Sequence, residues 1–195
     1  MGATMQIFIR VNEGCAEQPL LLWDSVWDAQ AGEADWALAD PAAEPLNKGG
    51  LQATSQLETV VVLCLFSDKR APEELCNGAP GPGGFPPRLD DGDPRGWWGD
   101  GIDVRTDDGE TELGSHLWLL ERAPLTEQVG RLAEFYAREA LDPLLAQQAC
   151  ARIDVAASVN EIRGRLELDV DLYGRDGTVV YAGRFAIYWR RLADA

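Results

Sequence analysis

The chain has 195 residues, a formal net charge of −16 at pH 7 and a hydrophobic fraction of 46%. This length suits one domain, or one domain with an appended subdomain, and the hydrophobic fraction is sufficient for a core. An acidic surface repels phosphate groups, so we expect no direct binding of nucleic acid. No segment reaches the ~18 apolar residues of a membrane span, and no basic and apolar leader opens the chain. We therefore expect no membrane insertion, and a cytoplasmic place of synthesis and assembly.

The N-terminal region predicts a small β meander. Short apolar segments separated by turn residues predict three strands, at Met5–Val11, Leu20–Trp27 and Ala34–Ala39. A segment with prolines and glycines follows and predicts a linker up to residue 50. The predicted division is residues 1–50 as meander and linker and residues 51–195 as the main domain, with one continuous domain 1–195 as the alternative.

Two helices are predicted in the middle of the chain. From Leu51 to Asp68 the apolar residues recur at spacings of three and four and cover most of the circumference, which predicts a buried central helix. Residues 71–92 are rich in proline and glycine and predict a long irregular loop. Pro124–Gln148 predicts an amphipathic helix with Thr126 as its N-cap. Its predicted apolar stripe consists of Leu125, Val129, Leu132, Tyr136, Ala140, Leu144 and Leu145. The Asp142-Pro143 step in that helix predicts either a kink or a break followed by a new short helix.

The C-terminal third predicts β structure. Apolar residues alternate with polar ones in Ile153–Val159 and in Leu166–Leu172, and Asp176-Gly177 is typical of a hairpin turn. The last strand has Tyr181, Phe185, Ile187 and Trp189 near one face, with Gly183 as a possible bulge. The predicted fold is α+β: an N-terminal β meander, a central buried helix, a second amphipathic helix and a C-terminal antiparallel β-hairpin. The edge of that hairpin could be completed by a strand from another protein.

A loop with two adjacent tryptophans connects the hydrophobic segments of the middle region. Pro94, Gly96 and Gly99 exclude a regular helix around Trp97 and Trp98. The two indole rings either anchor the loop in the core or dock a partner chain, since Trp and Arg are enriched at binding hot spots.

The sequence offers little catalytic chemistry. His116 is the sole histidine, so a Ser-His-Asp arrangement would need it, and it lies in a segment that looks structural. The four cysteines show no spacing typical of a zinc site, and we expect free thiols, with Cys64 a small core residue. We predict no catalytic residue, metal or cofactor. Carboxylates around the tryptophan loop leave a sugar-binding cleft open as an alternative; they are Asp90, Asp91, Asp93, Asp100, Asp103, Asp107 and Asp108.

Several strings, in order along most of the chain, resemble the phage Mu gene product forty-six family. The most specific of them is Arg-Gly-Trp-Trp-Gly-Asp at residues 95–100. The others are Trp27-Asp28, Ala34-Asp35-Trp36, Leu57 to Ala71, Gly114 to Arg122, Tyr136 to Leu141 and Trp189. The family usually has arginine where this chain has Lys69 and His116, so the resemblance assigns these two positions no role.

The resemblance implies a structural protein of the virion, similar to the wedge proteins of contractile-tail baseplates. It implies baseplate assembly and sheath initiation, several copies around the tail axis, and contacts with other wedge subunits, the central hub or tube and the first sheath ring. In related proteins sheath attachment uses strand exchange at a sheet edge, which would suit the C-terminal hairpin. We therefore predict partner-binding residues in the tryptophan loop and the hairpin; they are Arg95, Trp97, Trp98, Asp100, Leu166, Leu168, Val170, Tyr181, Phe185, Ile187 and Trp189.

Two other functions are compatible with the composition. One is a peptidoglycan hydrolase that uses carboxylates near the tryptophan loop. The other is an acidic inhibitor that mimics nucleic acid.

Overall fold

The computed structural model describes residues 26–28, 33–35, 38, 56–81, 93–104, 111–121, 123–160 and 162–188. The chain divides into two compact units, Met1–Thr59 and Val60–Ala195, and the boundary falls inside the first helix. The predicted domain boundary near residue 50 stays a prediction. No helix in the described ranges is long and apolar enough to cross a membrane.

The first unit contains a short antiparallel hairpin. Strands β1 (Val26–Asp28) and β2 (Glu33–Asp35) pair with Trp27 opposite Ala34. The two strands lie before and after the turn residues that separate the second and third predicted strands. The predicted strand Met5–Val11 lies outside the described residues.

Helix α1 (Gln56–Phe66) forms within the predicted segment 51–68. Val61, Cys64 and Leu65 are buried, whereas Val62 and Phe66 are exposed. The helix is thus buried on one side, although its apolar residues cover most of the circumference, because the apolar run is wider than the face that packs. The irregular loop predicted at 71–92 begins with a single helical turn, α2 (Glu73–Cys76).

A second single helical turn and a 3-10 helix follow. The turn α3 (Asp100–Asp103) has Gly99 as its N-cap and follows the two tryptophans of the loop. The 3-10 helix (Leu117–Leu120) has all four of its side chains buried.

Helix α4 (Glu127–Ala146) is the long amphipathic helix that the sequence predicts. The Thr126 hydroxyl accepts the Val129 N–H at 3.3 Å, which confirms the N-cap. Helical structure continues through Pro143, so neither a break nor a new helix occurs there. The buried face is formed mainly by small residues, in place of several large residues of the predicted stripe; it consists of Val129, Gly130, Ala133, Ala137, Ala140, Leu141 and Leu144.

Strands β3 (Arg152–Asn160), β4 (Arg165–Tyr173) and β5 (Val179–Tyr188) form an antiparallel sheet in sequence order. Helix α4 packs mainly on β3. The predicted turn at Asp176-Gly177 joins β4 to β5; Gly177 has φ of +80° and donates its N–H to the Gly174 carbonyl at 3.0 Å. The α+β fold class is confirmed, and the predicted hairpin is extended to three strands.

Two details of the hairpin prediction are wrong. Strand β4 is the central strand, so Leu166, Leu168 and Val170 lie in the core with no exposed surface instead of along an edge. The register shift between β4 and β5 falls at Leu172 and Tyr173, not at Gly183.

Candidate functional site

The chain after α1 forms a strap, residues 67–71, that connects the Gly114–His116 segment to the tryptophan loop. On one side, the strap pairs with the Gly114–His116 segment: Lys69 N–H donates to the Ser115 carbonyl at 3.0 Å, and Ser115 N–H donates to the Ser67 carbonyl at 2.9 Å. Further along the strap, Ala71 N–H donates to the Pro94 carbonyl at 2.8 Å. The tryptophan loop is therefore hydrogen-bonded to the core of the second unit.

The Arg95 side chain holds this loop in place through contacts with Asp68 and Trp118. Its guanidinium donates to the Asp68 carboxylate at 2.7 Å and lies over the Trp118 ring, 4.3 Å from the ring centroid. The Trp118 indole N–H donates in turn to the Lys69 carbonyl at 2.9 Å. Arg95 has φ of +56°, an uncommon conformation for a residue with a side chain, and these contacts hold it there.

Asp100 closes the loop with both carboxylate oxygens. One oxygen accepts the Trp97 N–H at 3.1 Å, and the other accepts the Leu113 N–H at 3.0 Å. Asp93 accepts the Arg95 N–H at 2.9 Å at the start of the loop. The carboxylates of Asp93 and Asp100 therefore fix the loop's backbone, whereas Asp90, Asp91, Asp107 and Asp108 lie outside the described residues.

The two tryptophans are on the surface. Trp98 is 79% exposed and Trp97 is 38% exposed, and their ring centroids are 5.4 Å apart. The Trp97 ring covers Gly99 so closely that a side chain at Gly99 would collide with it. The packing-anchor alternative therefore fits Trp97 in part and does not fit Trp98.

The four partner-binding residues predicted in this loop thus divide into two pairs. Arg95 and Asp100 are directed inward and hold the loop in shape, while Trp97 and Trp98 form its outer surface. The sequence pattern identified the loop, but it could not separate the bracing residues from the presenting ones.

Ser115 and His116 each bond to main-chain carbonyls. The buried Ser115 hydroxyl donates to the Leu65 carbonyl at 2.5 Å, and His116 Nε2 lies 3.0 Å from the Arg70 carbonyl oxygen. His116 Nδ1 is 3.9 Å from the carboxylate of Glu139 on α4, which also accepts from Lys69 Nζ at 3.0 Å. These contacts tie the strap to α4, and they direct the serine and the histidine to separate partners instead of to each other.

A cleft of about 560 Å³ lies beside the strap, lined in part by Arg70, Glu112, Cys76 and His116. Cys76 Sγ is 3.9 Å from the Ala71 carbonyl, so its nearest polar partner is main chain. Among the described residues, no group of three or more His, Cys, Asp or Glu side chains could hold a metal ion.

The outer edge of β5 is the second candidate surface. No described strand pairs with it, and the residues of its inner face, Tyr181, Gly183 and Phe185, are only half-buried. The Phe185 ring contacts Phe66 of α1 edge to face, with centroids 5.3 Å apart. The backbone of Ile187 continues this strand opposite Leu166, and Trp189 lies outside the described residues.

The opposite edge of the sheet is partly closed. Glu134 of α4 accepts the main-chain N–H of Ala157 on β3 at 2.8 Å. Helix α4 can approach β3 closely because Gly130 faces Val159; a Cβ at Gly130 would come within 3.1 Å of the Val159 methyl group. A side chain therefore occupies an edge donor of β3, as is common where an edge strand is protected from pairing.

Comparison with known proteins gives the family. The family model described as phage protein GP46 matches residues 57–179, more than half of the chain. The chain therefore belongs to the phage protein GP46 family. It is 35% identical to the baseplate protein gp46 of Escherichia phage Mu over 126 residues, which are 64% of this chain and 74% of the relative. No solved structure matches the chain significantly.

The matched residues fall almost wholly in the second unit. They include the strap, the tryptophan loop, helix α4 and strands β3 and β4. Both candidate surfaces belong to this unit, although β5 begins only where the family match ends.

Proposed function

We propose that the protein is a structural component of a phage tail baseplate and acts there by binding other proteins. The support is its membership of the GP46 family and its 35% identity to a relative named as a baseplate protein. Its location would accordingly be the tail baseplate of the virion, after assembly in the host cytoplasm.

The finer role that we propose is sheath initiation in a contractile tail, through addition of a partner's strand to β5. The observation that carries it is the outer edge of β5, which pairs with no described strand and adjoins a half-buried apolar face. An added strand would pair with main-chain groups along this edge, and its alternate side chains would cover Phe185 and its neighbours. Since Glu134 occupies a donor of β3, β5 is the better supported of the two edges.

The partners in this proposal are neighbouring wedge subunits, the central hub or tube and the first sheath ring. Several copies would surround the tail axis. The strand added to β5 would come from the sheath ring. The tryptophan loop would then contact a different subunit.

A proline scan of β5 tests the strand addition. Successive residues of a strand direct their N–H groups to opposite sides, so proline at Ala182 or Arg184 and proline at Gly183 remove donors from opposite edges. The stability of each variant shows which edge of β5 has lost its donor, because only the loss of a hydrogen bond to β4 destabilises the sheet. The variant that remains folded by circular dichroism should give baseplates without sheath in electron micrographs.

The matched control is Arg184→Ala, which removes the ion pair with Asp169 but keeps the main-chain donor. This control should assemble normal tails. Normal contractile tails from the folded proline variant would contradict strand addition at β5.

The hydrolase alternative has weaker support. Asp100, the carboxylate closest to the tryptophans in the sequence, uses both oxygens for main-chain N–H groups of the loop. A peptidoglycan-release assay with the purified chain and with Asp100→Asn distinguishes the two functions. Turnover by the wild type that the substitution abolishes, with the fold retained, would favour the hydrolase.

A further inference from the structure

The tryptophan loop presents an apolar surface that the fold does not use. We define the aromatic knob as Trp97, Trp98 and Ile102. Trp98 precedes the helical turn α3, whose N-cap is Gly99, and Ile102 lies within that turn. The two side chains are 79% and 76% exposed. Large apolar side chains with this exposure contribute little to the core of the chain.

The base of the aromatic knob is held in place by many contacts. The Arg95 contacts with Asp68 and Trp118, the two hydrogen bonds of Asp100 and the bond from Ala71 to Pro94 all fix the loop. The backbone is held at φ of +56° at Arg95 and +100° at Gly96. Such conformations persist only where surrounding contacts enforce them, and they are frequent at binding sites. The loop thus presents its tryptophans in a fixed position, which lowers the entropy lost on binding.

The charge of the chain indicates what kind of partner fits the aromatic knob. Two copies of a chain with a net charge of −16 repel each other, which disfavours a second copy as the occupant. Two carboxylates border the loop, namely Asp93 at its start and Glu112 next to the Leu113 that bonds to Asp100. Neither has a cationic partner among the described residues, so both remain available to a partner. A complementary surface would have an apolar pocket with lysines or arginines at its rim.

We propose that the aromatic knob is a docking anchor that inserts into an apolar pocket with a cationic rim on a different baseplate subunit. This inference rests on the proposed baseplate function, but it concerns a surface separate from the β5 edge. Trp98 is the central contact, because tryptophan is the residue most enriched among those that dominate binding energy. The carboxylates of Asp93 and Glu112 govern the rate and the salt dependence of association.

The test uses tail-assembly intermediates from a phage that lacks this chain, titrated with the purified, fluorescently labelled chain. Trp98→Ala should weaken binding about 10-fold or more, and wild-type binding should weaken as salt concentration rises. The control is Phe135→Ala, which removes another exposed aromatic side chain, on α4, and should leave binding unchanged. Both variants should keep the circular dichroism of the wild type, because neither ring is buried.

Three outcomes would overturn the inference, and they show whether the docking anchor fails alone or together with the proposed baseplate function. If the wild type and Trp98→Ala bind equally, the aromatic knob is not an anchor, while the baseplate function stands. If the wild type does not bind the intermediates at all, the baseplate function fails and the anchor fails with it. A dimer of the purified chain that Trp98→Ala abolishes would identify a second copy as the occupant instead.

Discussion

Replacement of Arg95 by alanine tests whether this side chain braces the loop or contacts a partner. The ion pair with Asp68 joins side chains that are 22% and 43% exposed, so it contributes about 0.2–1 kcal/mol. The stacking of the guanidinium over Trp118, at 4.3 Å, contributes about 0.5–2 kcal/mol. Arg95→Ala should therefore lower the free energy of unfolding by about 1–3 kcal/mol. For a chain of this size, the melting temperature should fall by about 2–4 °C per kcal/mol.

Urea unfolding followed by circular dichroism measures this change, and two further variants identify its origin. Arg95→Gly loses the same contacts but relieves the positive φ, so it should recover about 1 kcal/mol relative to alanine. Asp68→Asn combined with Arg95→Ala gives a double-mutant cycle, whose coupling energy should be about 0.2–1 kcal/mol. The bracing role would be refuted if Arg95→Ala unfolded like the wild type while tail assembly failed, because the residue would then act at an interface.

Three further predictions concern the rest of the second unit. Leu168→Ala, in the centre of the sheet, should lower the free energy of unfolding by about 2–5 kcal/mol in urea titrations; a change near zero would mean that β4 is not the central strand. Burial raises the pKa of the Cys64 thiol to about 11, so a maleimide at neutral pH should modify the exposed Cys76 before Cys64. Mass spectrometry of peptides would show the reverse order of these two if the packing of α1 were wrong. Hydrogen bonds from Thr178 lower the pKa of Asp176, so this carboxylate stabilises the hairpin turn at neutral pH and loses that effect as pH falls through its pKa. Carboxyl NMR should give a titration midpoint for Asp176 below the ordinary value, and Thr178→Ala should raise that midpoint. Equal midpoints in the wild type and the variant would exclude the Thr178 contacts.

Much of the local structure could be predicted because it depends on short-range rules. The 20-residue helix α4 begins at the predicted cap, and the alternation in β3 and β4 matches strands whose inner residues are buried. The turn at Asp176-Gly177 follows from the backbone freedom of Gly177 and the side-chain hydrogen bonds of Asp176.

The errors arise where burial depends on distant parts of the chain. The predicted stripe of α4 included Leu145, which is 38% exposed, whereas Ala133 and Ala137 are fully buried. Apolar periodicity favours large residues, but a helix that lies close to a sheet needs small ones at the contact. The strand β4 was predicted as an edge because strand order is set by pairing with β3, which no periodicity within Leu166–Leu172 reveals.

The same limit applies to the candidate site. Sequence pattern identified the tryptophan loop from its unusual composition, but the inward direction of Arg95 and Asp100 depends on the positions of Asp68, Trp118 and Leu113. These partners are separated from the loop by up to 27 residues in the chain. The contact between Glu134 and β3, which distinguishes the two sheet edges, has no signal in the local sequence at all.

That contact has a consequence for stoichiometry. A sheet with two open edges can add strands at both sides and can grow into a polymer of unlimited length. Here the carboxylate of Glu134 occupies a donor of β3, whereas no described strand pairs with the outer edge of β5. Addition of a strand is thereby favoured at one side of this three-stranded sheet. The chain would accordingly behave as a terminus that begins a linear array in one direction, and Glu134→Ala would be the substitution that removes this polarity.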